Sequence, residues 1–200
     1  MTWPREHTAL LLAFLGILFV FPAKTMAKSS QLNTRLGIVS GRYTGPVEGN
    51  FFVPNAIDVE FCLFLKPHKT INFRSLLALE LPEAKPFYTY AGIGIRHYLG
   101  SSGLSFNRSE NGFNLSSIPT KRYYIGYDIG ISQAIVKSYG TVLQAVSLML
   151  DVGVTAGATY QINGRLGIDL SVGASAAFGF SSVGSVGAIW RAMIGTTYTY

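Results

Sequence analysis

Ten charged side chains stand out because each falls at an alternate position of an otherwise apolar run: Asp58, Glu60, Arg74, Glu80, Arg96, Arg122, Asp128, Asp151, Asp169 and Arg191. Carboxylates and guanidinium groups in such a pattern can pair with one another, line a path for ions, or transfer protons. The third kind of work needs partners that this sequence does not bring together. His97 has no serine and acid beside it in a recognisable arrangement, and alternation turns it to the apolar face near a strand end. His68 stands between Pro67 and Lys69 and reads as a turn residue. No group of histidines, carboxylates or thiols has metal-ligand spacing. No glycine-rich phosphate loop follows a strand. No cofactor is therefore expected, and Cys62, the only cysteine, has no partner for an intramolecular disulfide.

The elements that carry these charges alternate with period two, the signature of strands. In FFVPNAIDVEFCLFLK, odd positions from Phe51 to Leu65 are mostly apolar, whereas even ones hold Asp58, Glu60, Cys62 and Lys66. In RLGIDLSVGASAAFGF, even positions from Leu166 to Phe180 are apolar, and odd ones hold Arg165, Asp169 and small residues. Eight such runs fall at about 32–43, 51–66, 69–81, 87–99, 121–134, 141–161, 165–180 and 187–200. An even number of alternating segments, each at least the roughly 9–11 residues that cross a bilayer, predicts an eight-stranded antiparallel transmembrane β-barrel. Residues 100–120 exceed a tight turn. They read either as an extension of the fourth and fifth strands capped by Glu110-Asn111-Gly112, with Ser109 opposite Phe113, or as an inserted hairpin giving ten strands.

Two local registers follow from the turns. A three-residue loop with Gly164 in the left-handed conformation pairs Gln161 with Arg165, Thr155 with Ser171 and Asp151 with Ser175. A turn at Pro67-His68-Lys69 pairs Lys66 with Thr70 and sets Arg74 opposite Cys62, diagonal to Glu60. Between 87–99 and 121–134, Ile95 lies opposite Tyr127 and Arg96 is diagonal to Asp128.

Composition says what solvent the apolar face meets. Charged residues make up 13% of the chain, about half the usual share, with 22 glycines and 24 phenylalanines plus tyrosines. Arg5, the apolar run Ala9–Phe21 and the small residues at Thr25 and Ala27 have the layout of a secretory signal peptide, cleaved after Ala27. That gives a signal segment 1–27 and a barrel 28–200. Removing 1–27 takes Arg5, Lys24 and Glu6 with it, so 16 basic and 10 acidic residues become 14 and 9, a net charge of +5. This balance is too small and too scattered for nucleic acid. A soluble barrel would turn its apolar set inward and its charges to water, but the interior of eight strands is too small for both apolar sets. Large apolar residues toward hydrocarbon and small or charged residues toward the lumen satisfy both faces. A charge at mid-depth in lipid would cost about 2–4 kcal/mol.

With the chain entering from the periplasm, Phe51, Phe87 and Phe178 fall at outer strand ends, and Tyr123, Tyr160, Tyr198 and Tyr200 at inner ends. They form two interfacial belts. The ending Gly195-Thr-Thr-Tyr198-Thr-Tyr200 resembles the C-terminal assembly signal of bacterial outer-membrane proteins, although Met193 replaces the polar residue often found two before the glycine. In architecture the chain from residue 28 resembles small outer-membrane barrels such as the membrane domains of outer membrane proteins A and X. The resemblance implies integral insertion in the outer membrane after export, contact with its lipids and recognition by the barrel-assembly machinery.

The expected role is structural or envelope-interacting, without catalysis, around a charged lumen plugged by salt bridges. A narrow pore for ions or small solutes is the alternative, kept open by room at Gly92, Gly94, Gly126, Gly130, Gly153, Gly157, Gly167 and Gly173. An envelope lipid-modifying enzyme is a third reading. Short outer connections (44–50, 82–86, 135–140 and 181–186) offer little surface for adhesion.

Overall fold

The structure, a computed structural model, describes residues 30–46, 48–80, 85–100, 105–109, 112–137, 143–179 and 185–200. The expected cleavage site lies outside them. The strands are β1 (Ser30–Thr44), β2 (Gly49–Lys66), β3 (Lys69–Glu80), β4 (Lys85–Tyr98), β5 (Ser105–Ser109), β6 (Gly112–Ser117), β7 (Lys121–Lys137), β8 (Leu143–Gln161), β9 (Leu166–Gly179) and β10 (Val186–Thr199). Eight of them close a barrel of antiparallel neighbours in the cyclic order β1, β2, β3, β4, β7, β8, β9, β10. The seam is the fourteen-pair ladder from Gln31↔Thr199 to Thr44↔Val186. Closure pairs backbone groups that hydrocarbon could not solvate. One end of the barrel carries Ser30, Tyr200 and the turns at 67–68 and 162–165; it is called the terminal end here, and the opposite one the far end.

The connection 99–120 holds the inserted hairpin of the second reading, but its strands do not join the barrel. Strands β5 and β6 form a separate two-stranded sheet outside the barrel, so ten strands exist but eight enclose the lumen. Ser109 pairs with Gly112 and Arg108 with Phe113, one residue away from the expected register.

Inward and outward faces follow the alternation on most strands. Leu36, Ile93, Ile129, Val154, Leu170 and Ile194 face out and are exposed, while Arg35, Gly153, Asp169 and Arg191 face in. The bulges mark the exceptions. On β2, Pro54 and Asn55 together oppose Ile38, because Val39 pairs with Val53 and Gly37 with Ala56. Proline cannot donate to a ladder, and the extra residue flips the face of everything before it. Phe51 therefore points inward at 4% exposure while Phe52 stands outside at 64%. On β4 the bulged residue is Phe87, since Ala78 pairs with Tyr88 and Leu79 with Pro86, and Phe87 is buried too. Both phenylalanines are thus corrected from lipid-facing to interior. On β8 the ladder slips between Ser132 and Ala134, and Leu148 takes a left-handed φ of 50°.

Two turn-derived registers also need correction. Strands β8 and β9 pair Gln161 with Gly167, Thr155 with Gly173 and Asp151 with Ala177, each partner two residues further along β9 than expected. Gly164 has no positive φ. The Asn163 side chain closes the turn instead, accepting from the Arg165 and Leu166 amides at 2.9 and 2.8 Å. Such an Asx turn competes successfully with a glycine bulge because it satisfies two backbone donors at once. Asn163→Ala is expected to lower unfolding free energy by about 1 kcal/mol, read as an earlier urea midpoint. On β2–β3, Glu60 faces Arg74 and Cys62 faces Asn72, with the slip taken up between Phe64 and Lys66. Between β4 and β7 the expected register holds: Ile95 pairs with Tyr127 and Arg96 with Gly126.

Candidate functional site: the barrel lumen

The interior is filled from two halves with different chemistry. Toward the far end, Val39, Tyr43, Phe51, Val53, Leu76, Tyr88, Val136, Met149, Ile189 and Met193 form a buried apolar cluster. The rings of Tyr43, Phe51 and Tyr88 stack in series, with centroids 6.2 and 5.7 Å apart. Toward the terminal end, the inward positions are polar or charged.

The charges form one chain of alternating sign. Arg96 contacts Glu60, and Glu60 contacts Arg35. Arg35 reaches Asp58 at 3.3 Å and Asp169 at 3.2 Å. Asp58 accepts a bidentate pair from Arg74, at 2.7 and 3.0 Å. Arg74 then approaches Asp128 at 3.8 Å, and Arg191 donates to both oxygens of Asp128 at 3.0 and 2.8 Å. Four arginines and four carboxylates are thereby linked across β1, β2, β3, β4, β7, β9 and β10. Among the described residues every interior cation is arginine, whereas Lys66, Lys69, Lys85, Lys121 and Lys137 occupy strand ends. The planar guanidinium fork matches carboxylate geometry in a dry space better than a strongly hydrated ammonium does.

Nine of the ten charges singled out in the sequence lie inside the barrel wall, but not all of them join this chain. Asp151 accepts instead from Tyr88 Oη at 2.6 Å. Arg122, at 0% exposure, lies 5.2 Å from the Tyr98 ring centroid, and none of its guanidinium nitrogens has a hydrogen-bond partner. Glu80 is corrected to the exposed far rim, because β2 has left β3 there and the end of the β3–β4 ladder is displaced by the Phe87 bulge. The expected Arg96–Asp128 diagonal gives way to Glu60 for Arg96 and Arg191 for Asp128. Arg35 is the member sequence reasoning missed. Its signal was present: Asn33, Arg35, Gly37 and Gly41 alternate with Leu32, Leu36 and Ile38.

Arg122 supplies a prediction of its own. A buried charged donor without an acceptor costs about 1–3 kcal/mol or more. Arg122→Met should therefore raise unfolding free energy by about 1 kcal/mol or more after loss of the ring contact, measured by urea titration in vesicles.

Most of the lumen glycines are closely covered, Gly126 being the exception with nothing nearer than 3.6 Å. The Tyr124 ring lies where a side chain on Gly157 would stand, the Tyr43 ring over Gly187, and the Tyr90 ring over Gly92 and Gly130. Arg191 nitrogens come within 2.8 and 2.9 Å of the Cβ positions of Gly173 and Gly153. At these positions the missing side chain gives its space to a large ring or guanidinium group, as close packing requires.

Outside, Tyr123, Tyr160, Tyr198 and Tyr200 gather toward the terminal end, with Phe178 and Phe52 toward the far end. Tyr198 and Tyr200 meet edge to face at 4.9 Å, and Gly195 faces Arg35 across the seam. His97 is half-buried and faces out.

A closed eight-stranded barrel with exposed apolar residues outside and paired charges inside defines the class of protein: its fold is that of the small bacterial outer-membrane β-barrels. Among solved structures it is similar to the N-terminal β-barrel domain of Pseudomonas aeruginosa OprF, with a TM-score of 0.51 and 11% identity over 88% of this chain and 100% of that one. Other matches are Neisserial surface protein A (TM-score 0.47, 9% identity, 86% of this chain and 97% of that one) and the outer membrane protein OprG of Pseudomonas aeruginosa (0.44, 10%, 88% and 98%). No protein-family profile and no curated protein matches the sequence.

Proposed function

We propose that this chain is an integral outer-membrane barrel with a structural or envelope-interacting role, without catalysis, whose lumen is held shut. The carrying observation is the chain of alternating charges from Arg96 to Arg191, which crosses the interior with its side chains at most 9% exposed. The apolar cluster above it supports closure independently, since water and ions both avoid such a segment. In this reading residues 1–27 direct export, and the terminal end faces the periplasm. Gly195, Tyr198 and Tyr200 mark the chain for the assembly machinery, and membrane lipids cover the outward face.

Planar-bilayer recording of the purified barrel tests closure. The expected trace has no stable conductance steps. A steady open current that shifts when Arg96 or Asp128 is neutralised would replace this reading with that of a narrow pore.

A further inference from the structure

Among the described residues, the barrel wall opens where β2 leaves β3. The β2–β3 ladder ends at Ala56↔Ala78. Beyond it β2 stays with β1, from Val39↔Val53 to Tyr43↔Gly49, and leans across the far mouth until Asn50 pairs with Lys137 of β7. Strand β3 instead continues with β4 to Glu80↔Lys85. The two strands part around a cavity of about 400 Å³ lined by Asn50, Phe51, Phe52, Asn55, Glu80 and Phe87, among others.

We propose that this cleft binds one lipid through a polar, hydroxyl-bearing head and the first part of an acyl chain. Position argues for an amphiphile. Outward Phe52 is paired with Ser40, inside the band that includes Ile38, whereas outward Arg42 is paired with Asn50 one step beyond. The cleft thus straddles the boundary between the apolar band and the polar rim. Its composition argues the same way: Phe52 offers exposed apolar surface over the buried Phe51 and Phe87, and two exposed carboxamides can each donate and accept. The volume suits part of a lipid, within the usual range of about 300–1,000 Å³ for ligand pockets. An occupant would also cover β2 backbone that has no β3 partner, which hydrocarbon alone could not satisfy.

This inference rests on the membrane-spanning reading. The test is an NMR titration of the chain from residue 28 in deuterated phosphocholine micelles, with protonated dodecyl maltoside as probe. Saturable shifts confined to Asn50–Asn55 and Glu80 are expected, with intermolecular contacts from the sugar to the Asn50 and Asn55 amides. Asn55→Trp, which fills the cleft, should weaken binding at least tenfold, and Asn50→Ala, which leaves packing intact, about threefold. Shifts that grow linearly and spread over the whole outward face would overturn the proposal, as would unchanged affinity in both variants. Either result in a barrel still inserted in lipid would leave the membrane reading standing.

Discussion

Asp58→Ala should destabilise the barrel by about 3–5 kcal/mol, the usual loss when one member of a buried ion pair is removed. Asp58 is fully buried, accepts from Arg74 in bidentate fashion and forms an ion pair with Arg35 at 3.3 Å. Its removal leaves two guanidinium groups in a dry interior with fewer acceptors, and that desolvation cost dominates the change. The double variant Asp58→Ala/Arg74→Met should recover much of the loss, because it removes the orphaned charge along with its partner. Urea unfolding in vesicles of fixed composition measures both. If Asp58→Ala costs less than about 1 kcal/mol, as surface ion pairs do, the interior is hydrated and the alternating chain is not a closed plug.

Gly195→Val should have one of the largest effects of any single substitution in the seam. A Cβ at this position would run into the Thr34 carbonyl oxygen and the Arg35 Cα of β1. Neither is the movable end of a side chain, so the strands themselves would have to separate. Because β1–β10 is the pairing that closes the barrel, the expected outcome is loss of the heat-modifiable folded band, beyond the 4–5 kcal/mol that marks exceptional substitutions. Two controls isolate the cause. Gly126→Ala meets nothing nearer than 3.6 Å and Gly164→Ala meets nothing within 4 Å, so both should stay within about 0.5 kcal/mol of the parent. Glycine at 195 thus has a packing role at closure, separate from its proposed part in the assembly signal.

The strands were legible because alternation is a strong signal when one face meets hydrocarbon and the other is charged. Runs such as RLGIDLSVGAS leave a single assignment of faces. What was not legible has two physical sources. Adjacent apolar pairs carry no parity information: Phe51-Phe52, Leu76-Leu77, Ile189-Trp190 and Met193-Ile194 each put one member inside and one outside. The apolar half of the lumen was built from such pairs and so went unseen. Bulges are the second source, since Pro54-Asn55 and Phe87 shift the faces without changing the composition of the run. Turn chemistry misled in a milder way. Asn163 closes its loop by its side chain rather than through Gly164, and the even shift kept the polar faces aligned. Of the charge network, the inward face was readable but the partners were not, because they lie on strands far apart in sequence: Arg35 meets Asp169, and Arg74 meets Asp128.

The central claim is that the apolar face of this barrel meets lipid. Trp190 reports on it directly, as an outward residue at 52% exposure and the only tryptophan of a chain beginning at residue 28. In vesicles containing brominated phosphatidylcholine its emission should be strongly quenched, and iodide added outside should have almost no effect. Emission insensitive to bromine but quenched by iodide would place Trp190 in water and contradict the account.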